Sequence, residues 1–232
     1  MPRGKRLIVP NCPHHIVQRG HDRKAVFVCD EDYQHYLSTL VETKKELGLA
    51  VYAYCLMTNH VHLIVDPMDQ PEHLSVLMKK LSSKQTRYTN RVEGRSGTLW
   101  ESRFKSSPIE ADAYLLQCSR YVELNPVKAK MVKRAETWKW SSFAEKIGLR
   151  QKDWLDFDVC YLGLSETERG RQTSYRQFVE DQVSEKKDKQ IHDALERCQL
   201  TGTGKFTDEI EKRMGKRIEN RGPGRPRKGK EE

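Results

Sequence analysis

VYAYCLMTNHVHLIVD, residues 51–66, is the stretch on which the fold turns. Two apolar, β-prone runs at 51–57 and 60–66 flank the polar pair Thr58-Asn59, the spacing of a hairpin closed by a two-residue turn. Side chains i and i+2 of a strand point to one face. His60 and His62 therefore stand side by side on the second strand as a two-imidazole pincer for a metal ion.

Outward from this hairpin, the pattern alternates between strand-like and helical runs. HHIVQRG (14–20) and AVFV (25–28) are short β-like segments around the polar turn GHDRK. From Asp30 to Leu47, Tyr33, Tyr36, Leu37, Leu40, Val41 and Leu47 keep a helical period, and Gly48 is placed to end it. Pro71 opens a long helix to Val92, 99–110 is a further strand, and 111–124 is a helix that Asn125-Pro126 stops. This order predicts an α+β domain, an antiparallel sheet with helices packed on one face.

Composition narrows the setting. The 232 residues suffice for one sizeable core with an appendage, and no run approaches the 18 or so apolar residues that cross a membrane. The start MPRGKRLIVPNCPHH lacks the apolar segment of a secretion signal, so a cytoplasmic, nucleoid-associated protein with no membrane partner is expected. Six scattered cysteines without a CxxC pair argue against a zinc ribbon and a disulfide framework. The net charge is +9, of which residues 212–230 alone carry +8. Such a tail suits an anionic polymer, and solvated disorder is compatible with that role.

The helix from 72 to 92 has two faces. Leu74, Leu77, Met78, Leu81, Tyr88 and Val92 cluster on one side, and Lys80, Lys84, Arg87 and Arg91 form an adjacent cationic stripe. With Arg103 and Lys105, and with Tyr88, Trp100 and Phe104 interleaved, this stretch is a candidate groove for single-stranded nucleic acid. Farther on, Tyr121 and Asn125 lie four apart, so a phenol and an amide oxygen share one helical face. Spacing alone does not join them to the histidines.

The runs YCLMTNHVHLIV, GTLWESRFKSSPIE and SRYVELNPVKAKMV, in this order, resemble the REP-associated tyrosine transposases of the HUH single-tyrosine superfamily. The resemblance spans about residues 7–145. It implies a ferredoxin-like, RNA-recognition-motif-like sheet, with Tyr121 as the nucleophile and His60, His62 and Asn125 holding a divalent metal. Mg2+ or Mn2+ suits a site whose remaining ligands are phosphate and water oxygens. The implied substrate is single-stranded DNA with hairpins formed by repeated extragenic palindromes, cut and rejoined through a 5′-phosphotyrosine link. The resemblance leaves monomer and dimer both open. Two other classes compete: a non-cleaving DNA-binding regulator on the same fold, and a metallohydrolase using activated water, which leaves Tyr121 without a role.

The organisation expected is a catalytic domain over 1–150, a helical extension over 151–183 and a basic, partly helical DNA-contacting tail over 184–232. In the tail, RGPGRPRKGK (221–230) resembles an AT-hook and supplies Arg225, Arg227 and Lys228 as DNA contacts. Pro223 stands where that motif has its first core arginine, so phosphate attraction is the better-founded part of the reading.

Overall fold

The structure, a computed structural model, describes residues 6–151, 153–181, 184–215 and 217–218. Arg225, Arg227 and Lys228 lie outside the described residues. The chain forms β1 (His14–Arg19), α1 (Asp30–Leu47), β2 (Ala50–Met57), β3 (His60–Asp66), α2 (Glu72–Val92), β4 (Lys105–Pro108) and α3 (Ala111–Glu123). The short helices α4 (Asn125–Lys128), α5 (Phe143–Lys146) and α6 (Val159–Leu162) follow, then α7 (Glu168–Glu180), α8 (Glu185–Arg197) and α9 (Gly204–Met214).

The strands assemble in the order β2-β3-β1-β4, every pair antiparallel, which is the ferredoxin-like arrangement. Strand alternation sorts the side chains onto two faces. Val61, Leu63 and Val65 of β3 join Ile16, Tyr54 and Leu56 under α1 and α2, whose Tyr36, Leu37, Leu40, Leu74, Leu77 and Leu81 close the larger core. Ile64, Ala53, Cys55 and Met57 face the other way, against Leu115, Cys118 and Val122 of α3 and Ile191 of α8. The sheet is thus covered on its second face as well, by the tyrosine-bearing helix. A register shift between Val51 and Ala53 in β2 puts Tyr52 on that second face, while Val51 stays in the larger core.

The local signals work as their chemistry requires. Asp32 Oδ2 accepts from the backbone of Val28 and Cys29 at the start of α1, and Gly48 closes that helix at φ 65°, in the left-handed region. Two sequence expectations fail. AVFV is not a strand: Val26 and Phe27 both donate to the Thr58 carbonyl and bury their side chains as a plug beneath α1. Of 99–110 only Lys105–Pro108 pairs as a strand, because Trp100 and Phe104 turn inward to pack. Asn125-Pro126 interrupts the helix at Leu124 and does not end its course, since Pro126 sits in the first turn of α4 and Lys128 N still bonds to Leu124 O.

The segment after residue 151 is anchored through buried polar groups. Glu123, at the end of α3, accepts from Ser142 Oγ (2.6 Å) and Tyr175 OH (2.6 Å) and lies 3.3 Å from Lys146 Nζ. All four residues are fully buried. Arg120 adds a bond to the Phe178 carbonyl and stacks over the Phe178 ring. The α3 helix is therefore tied to both α5 and α7 within three residues of Tyr121.

Candidate active site

His60 and His62 project from the α3-facing side of β3, with ring centroids 5.0 Å apart. On neighbouring β1, strand alternation gives the same side to His15, Val17 and Arg19, and Arg19 is the cross-strand partner of His60. His15 Nε2 lies 2.9 Å from His62 Nδ1. The Tyr121 ring stands edge-on to both, 5.7 Å from His15 and 6.2 Å from His62. Residues 47 to 106 positions apart in sequence are thereby gathered over one patch of sheet.

Burial sets the protonation states. His60 is lowered to about 4 by burial and then by the Arg19 charge; His62 is held well below its ordinary value by burial, with His60, His15, Arg19 and His192 adding to it. Both imidazoles are therefore neutral near pH 7, the form that binds metals. His60 Nδ1 is 2.6 Å from Asn59 Oδ1, an atom that only accepts, so Nδ1 carries the proton and Nε2 keeps its lone pair. His62 Nδ1 is likewise engaged, by His15, which leaves Nε2 as its ligand atom. His15 Nδ1 is buried without a hydrogen-bond partner.

Asn125 sits one turn after Tyr121, as its spacing requires. Its Nδ2 donates to the Tyr121 and Val122 carbonyls at 2.8 and 3.3 Å, and none of its hydrogen bonds reaches the histidines. That use of the amide nitrogen fixes Oδ1 as the atom left for a cation. Among the described residues, no cluster of three His, Cys, Asp or Glu side chains suits a metal. The Tyr121 phenol is pushed up to about 12, chiefly by burial and then by Asp188 and Glu196. Its hydroxyl lies 3.4 Å from His192 Nδ1 of α8, and Lys128 Nζ stands 4.4 Å above its ring while pairing with Asp188 at 2.5 Å. Tyr114, two turns earlier, is occupied elsewhere: its hydroxyl bonds to Gln190.

The expected DNA contacts divide. Lys80 and Lys84 are held by Glu46 and Glu42 of α1, and Lys105 by Glu196 of α8. Arg87 and Arg103 line an open groove, and Arg91 is exposed. Trp100 and Phe104 are buried, and half-buried Tyr88 has one face taken by His35. His15, Arg19, Lys128 and His192 escaped the sequence reading. His15 and Arg19 were within reach, because the alternation that pairs His60 with His62 also aligns them once β1 is set beside β3.

Residues 8–125, half of the chain, match the family described as Transposase IS200 like. The chain belongs to that family. A REP-associated tyrosine transposase of Haemophilus influenzae, so named provisionally, is 25% identical over 135 residues, covering 53% of this chain and 77% of that protein. Among solved structures, a REP-associated tyrosine transposase bound to a REP hairpin aligns with TM-score 0.56 at 19% identity, over 68% of this chain and 96% of the other. A transposase structure from Deinococcus radiodurans, its name also provisional, gives 22% identity with 53% of this chain covered, 96% of the other and a TM-score of 0.36. The matched span contains every strand of the sheet, both histidines, Tyr121 and Asn125, so transposase membership rests on the part of the chain that builds the site. Among the described residues no helix is long and apolar enough to cross a membrane.

Proposed function

We propose that this transposase cuts and rejoins single-stranded DNA through a 5′-phosphotyrosine on Tyr121, with a divalent metal held by His60, His62 and Asn125. The observation that carries the reading is the edge-on stand of Tyr121 beside the neutral His60–His62 pair. DNA hairpins of repeated extragenic palindromes are the proposed substrate, in keeping with the REP-associated relative and with the hairpin in the aligned structure. A protein so occupied resides with the nucleoid.

The residues fit a cation. Two neutral imidazoles present Nε2, one amide presents Oδ1, and the shell is left incomplete for phosphate and water oxygens. Bound there, Mg2+ or Mn2+ supplies Lewis-acid stabilisation of charge on the scissile phosphate. The protein does the rest. Helix α3, braced by Glu123 and Arg120, aims the phenol oxygen at phosphorus. Attack forms the P–O bond to Tyr121 as the P–O3′ bond breaks, and the 3′ oxygen takes up a proton from water and leaves as a 3′-hydroxyl. A phenol near 12 keeps its proton until the strand is seated, and His192 Nδ1, 3.4 Å away, would take it in the tautomer that leaves this nitrogen unprotonated. Because the link conserves the phosphodiester, reverse attack by a 3′-hydroxyl joins strands without ATP.

The test is covalent trapping on end-labelled single-stranded DNA with Mn2+. The wild-type chain retards the label on a denaturing gel, and Tyr121→Phe gives no adduct while retaining affinity. An adduct that persists in Tyr121→Phe overturns the assignment of the nucleophile; cleavage without adduct points to activated water.

A further inference from the structure

On the opposite face of the sheet from the histidines, at the β1–β4 edge, α2 and the segment 98–104 enclose an open groove of about 720 Å³. Its position follows from strand alternation: Gln18 lines it, whereas Val17 and Arg19 on either side face the histidines. Four cations line the groove, Arg6, Lys79, Arg87 and Arg103, together with a row of serine and threonine hydroxyls, and no carboxylate is among its lining residues.

These cations differ from the others on the same helix. Lys80 and Lys84 are neutralised across the α1–α2 contact, while Lys79, Arg87 and Arg103 make no ion pair among the described residues. Arg6 is locked in place: its Nε donates to the Phe104 carbonyl at 2.8 Å and its guanidinium lies 3.9 Å over the Phe104 ring. Arg103 repels it, and burial together with that repulsion lowers the Arg6 pKa. An anion in the groove offsets the repulsion. The floor of Trp100 and Phe104 is buried, and Trp100 Nε1 is spent on the Ser82 carbonyl, so bases find no stacking surface there. Cations and hydroxyls without stacking rings suit phosphates, and are indifferent to sequence.

We infer that this groove is a second, non-catalytic DNA site that grips the phosphodiester backbone of the substrate after it rounds the β4 edge. The inference rests on the DNA-cutting function proposed above and extends it to the far face of the sheet. Lys79 and Arg87 are eight residues apart on α2, about 12 Å along its axis, enough for more than one phosphate. Arg103 lies at the turn of the edge, two residues before Lys105 of β4. The single-stranded groove expected from sequence is in this way replaced by a phosphate clamp with a partly different set of residues.

The experiment is fluorescence anisotropy with the full chain at several salt concentrations. The probes are a labelled DNA hairpin bearing a single-stranded extension and an unstructured oligonucleotide of equal length. Lys79→Ala/Arg87→Ala is expected to weaken binding and to lower the log–log salt slope by about 1.4 to 1.8, two phosphate contacts at roughly 0.7 to 0.9 each. Lys80→Ala/Lys84→Ala removes equal charge from the same helix and is expected to change the slope little. A loss confined to the hairpin assigns the groove to the stem, and an equal loss with both probes assigns it to either form of backbone; both support the clamp. Equal slopes for wild type and Lys79→Ala/Arg87→Ala overturn it, as does an equal loss in the Lys80/Lys84 variant or a mononucleotide that binds as tightly as DNA. Failure of the wild type to bind either probe would instead refute the underlying function, whereas absence of a Tyr121 adduct leaves this measurement interpretable.

Discussion

His15 offers the sharpest test of how the site is organised, because removing it should weaken metal binding while leaving stability nearly unchanged. In the fully buried contact between His15 Nε2 and His62 Nδ1, 2.9 Å long, a cation on His62 Nε2 requires Nδ1 to carry the proton and His15 to accept it. Partners of this kind hold the tautomer and the ring, and their loss costs 10- to 100-fold in metal affinity, about 1.4 to 2.7 kcal/mol. The same His15 leaves its own Nδ1 buried and unpaired, a defect worth about 1–3 kcal/mol, and burial lowers its pKa to about 3. His15→Leu deletes that defect but strands the buried His62 Nδ1 in its place, so two penalties of about 1–3 kcal/mol offset and the metal-free protein should melt within a few degrees of wild type. Its Mn2+ dissociation constant by calorimetry should nevertheless rise 10- to 100-fold. His15→Gln, whose amide oxygen can take the place of Nε2, should recover much of the affinity. A folded His15→Leu protein with Mn2+ affinity within about threefold of wild type would refute the reasoning, as would a Gln variant no better than Leu.

Three further outcomes are expected. Glu123→Ala strands Lys146 in the core, costing about 3–5 kcal/mol and lowering the melting temperature by roughly 6–20 °C, while Glu123→Leu/Lys146→Met should restore most of it; a double variant less stable than Glu123→Ala would contradict this. Fully buried His14 has its pKa lowered to about 4 by burial, so the unfolded chain takes up its proton first as pH falls. Its contribution is constant above about 6.5 and is lost at about 1.4 kcal/mol per unit between 6.5 and 4, visible as a falling urea midpoint; a midpoint flat from pH 7.5 to 5.5 would exclude it. Truncation after Ile218, which packs beside Val9 and Phe206 and donates to Glu211, should preserve the melting temperature and reduce the salt dependence of DNA binding; an unchanged slope would mean that the tail makes no DNA contact.

The sequence was most legible where one periodicity was enforced by burial over many residues. The 51–66 hairpin, the 30–47 and 72–92 helices and the shared face of His60 and His62 all follow from spacing, since each has one face in a core. AVFV misled because two buried side chains in a row fit a strand pattern as well as a plug, and only its contacts with Thr58 decide between them. Spacing alone lines up Lys80, Lys84, Arg87 and Arg91 on α2. Nothing in its spacing told which lysines meet α1 carboxylates, because Glu42 and Glu46 lie across a tertiary contact. Lys128 and His192 were invisible for the same reason. The first depends on how the chain bends at Leu124, the second on where α8 docks, and neither choice leaves a mark in local composition.

The buried carboxylate at Glu123 gives the segment beyond residue 151 a role that its sequence does not advertise. Its oxygens are shared among α5, α7 and the last turn of the tyrosine helix, and one of its donors, Tyr175, belongs to that later segment. A fragment ending at residue 150 would keep His60, His62, Tyr121 and Asn125 but lose His192, Tyr175 OH, the bond from Arg120 to Phe178 and the apolar cover of Phe143. It would present a dry carboxylate with one donor missing at the foot of the helix that aims the nucleophile. The helix that carries Tyr121 and the C-terminal half thus share one set of buried polar bonds, so loosening α7 removes partners from residues adjacent to Tyr121.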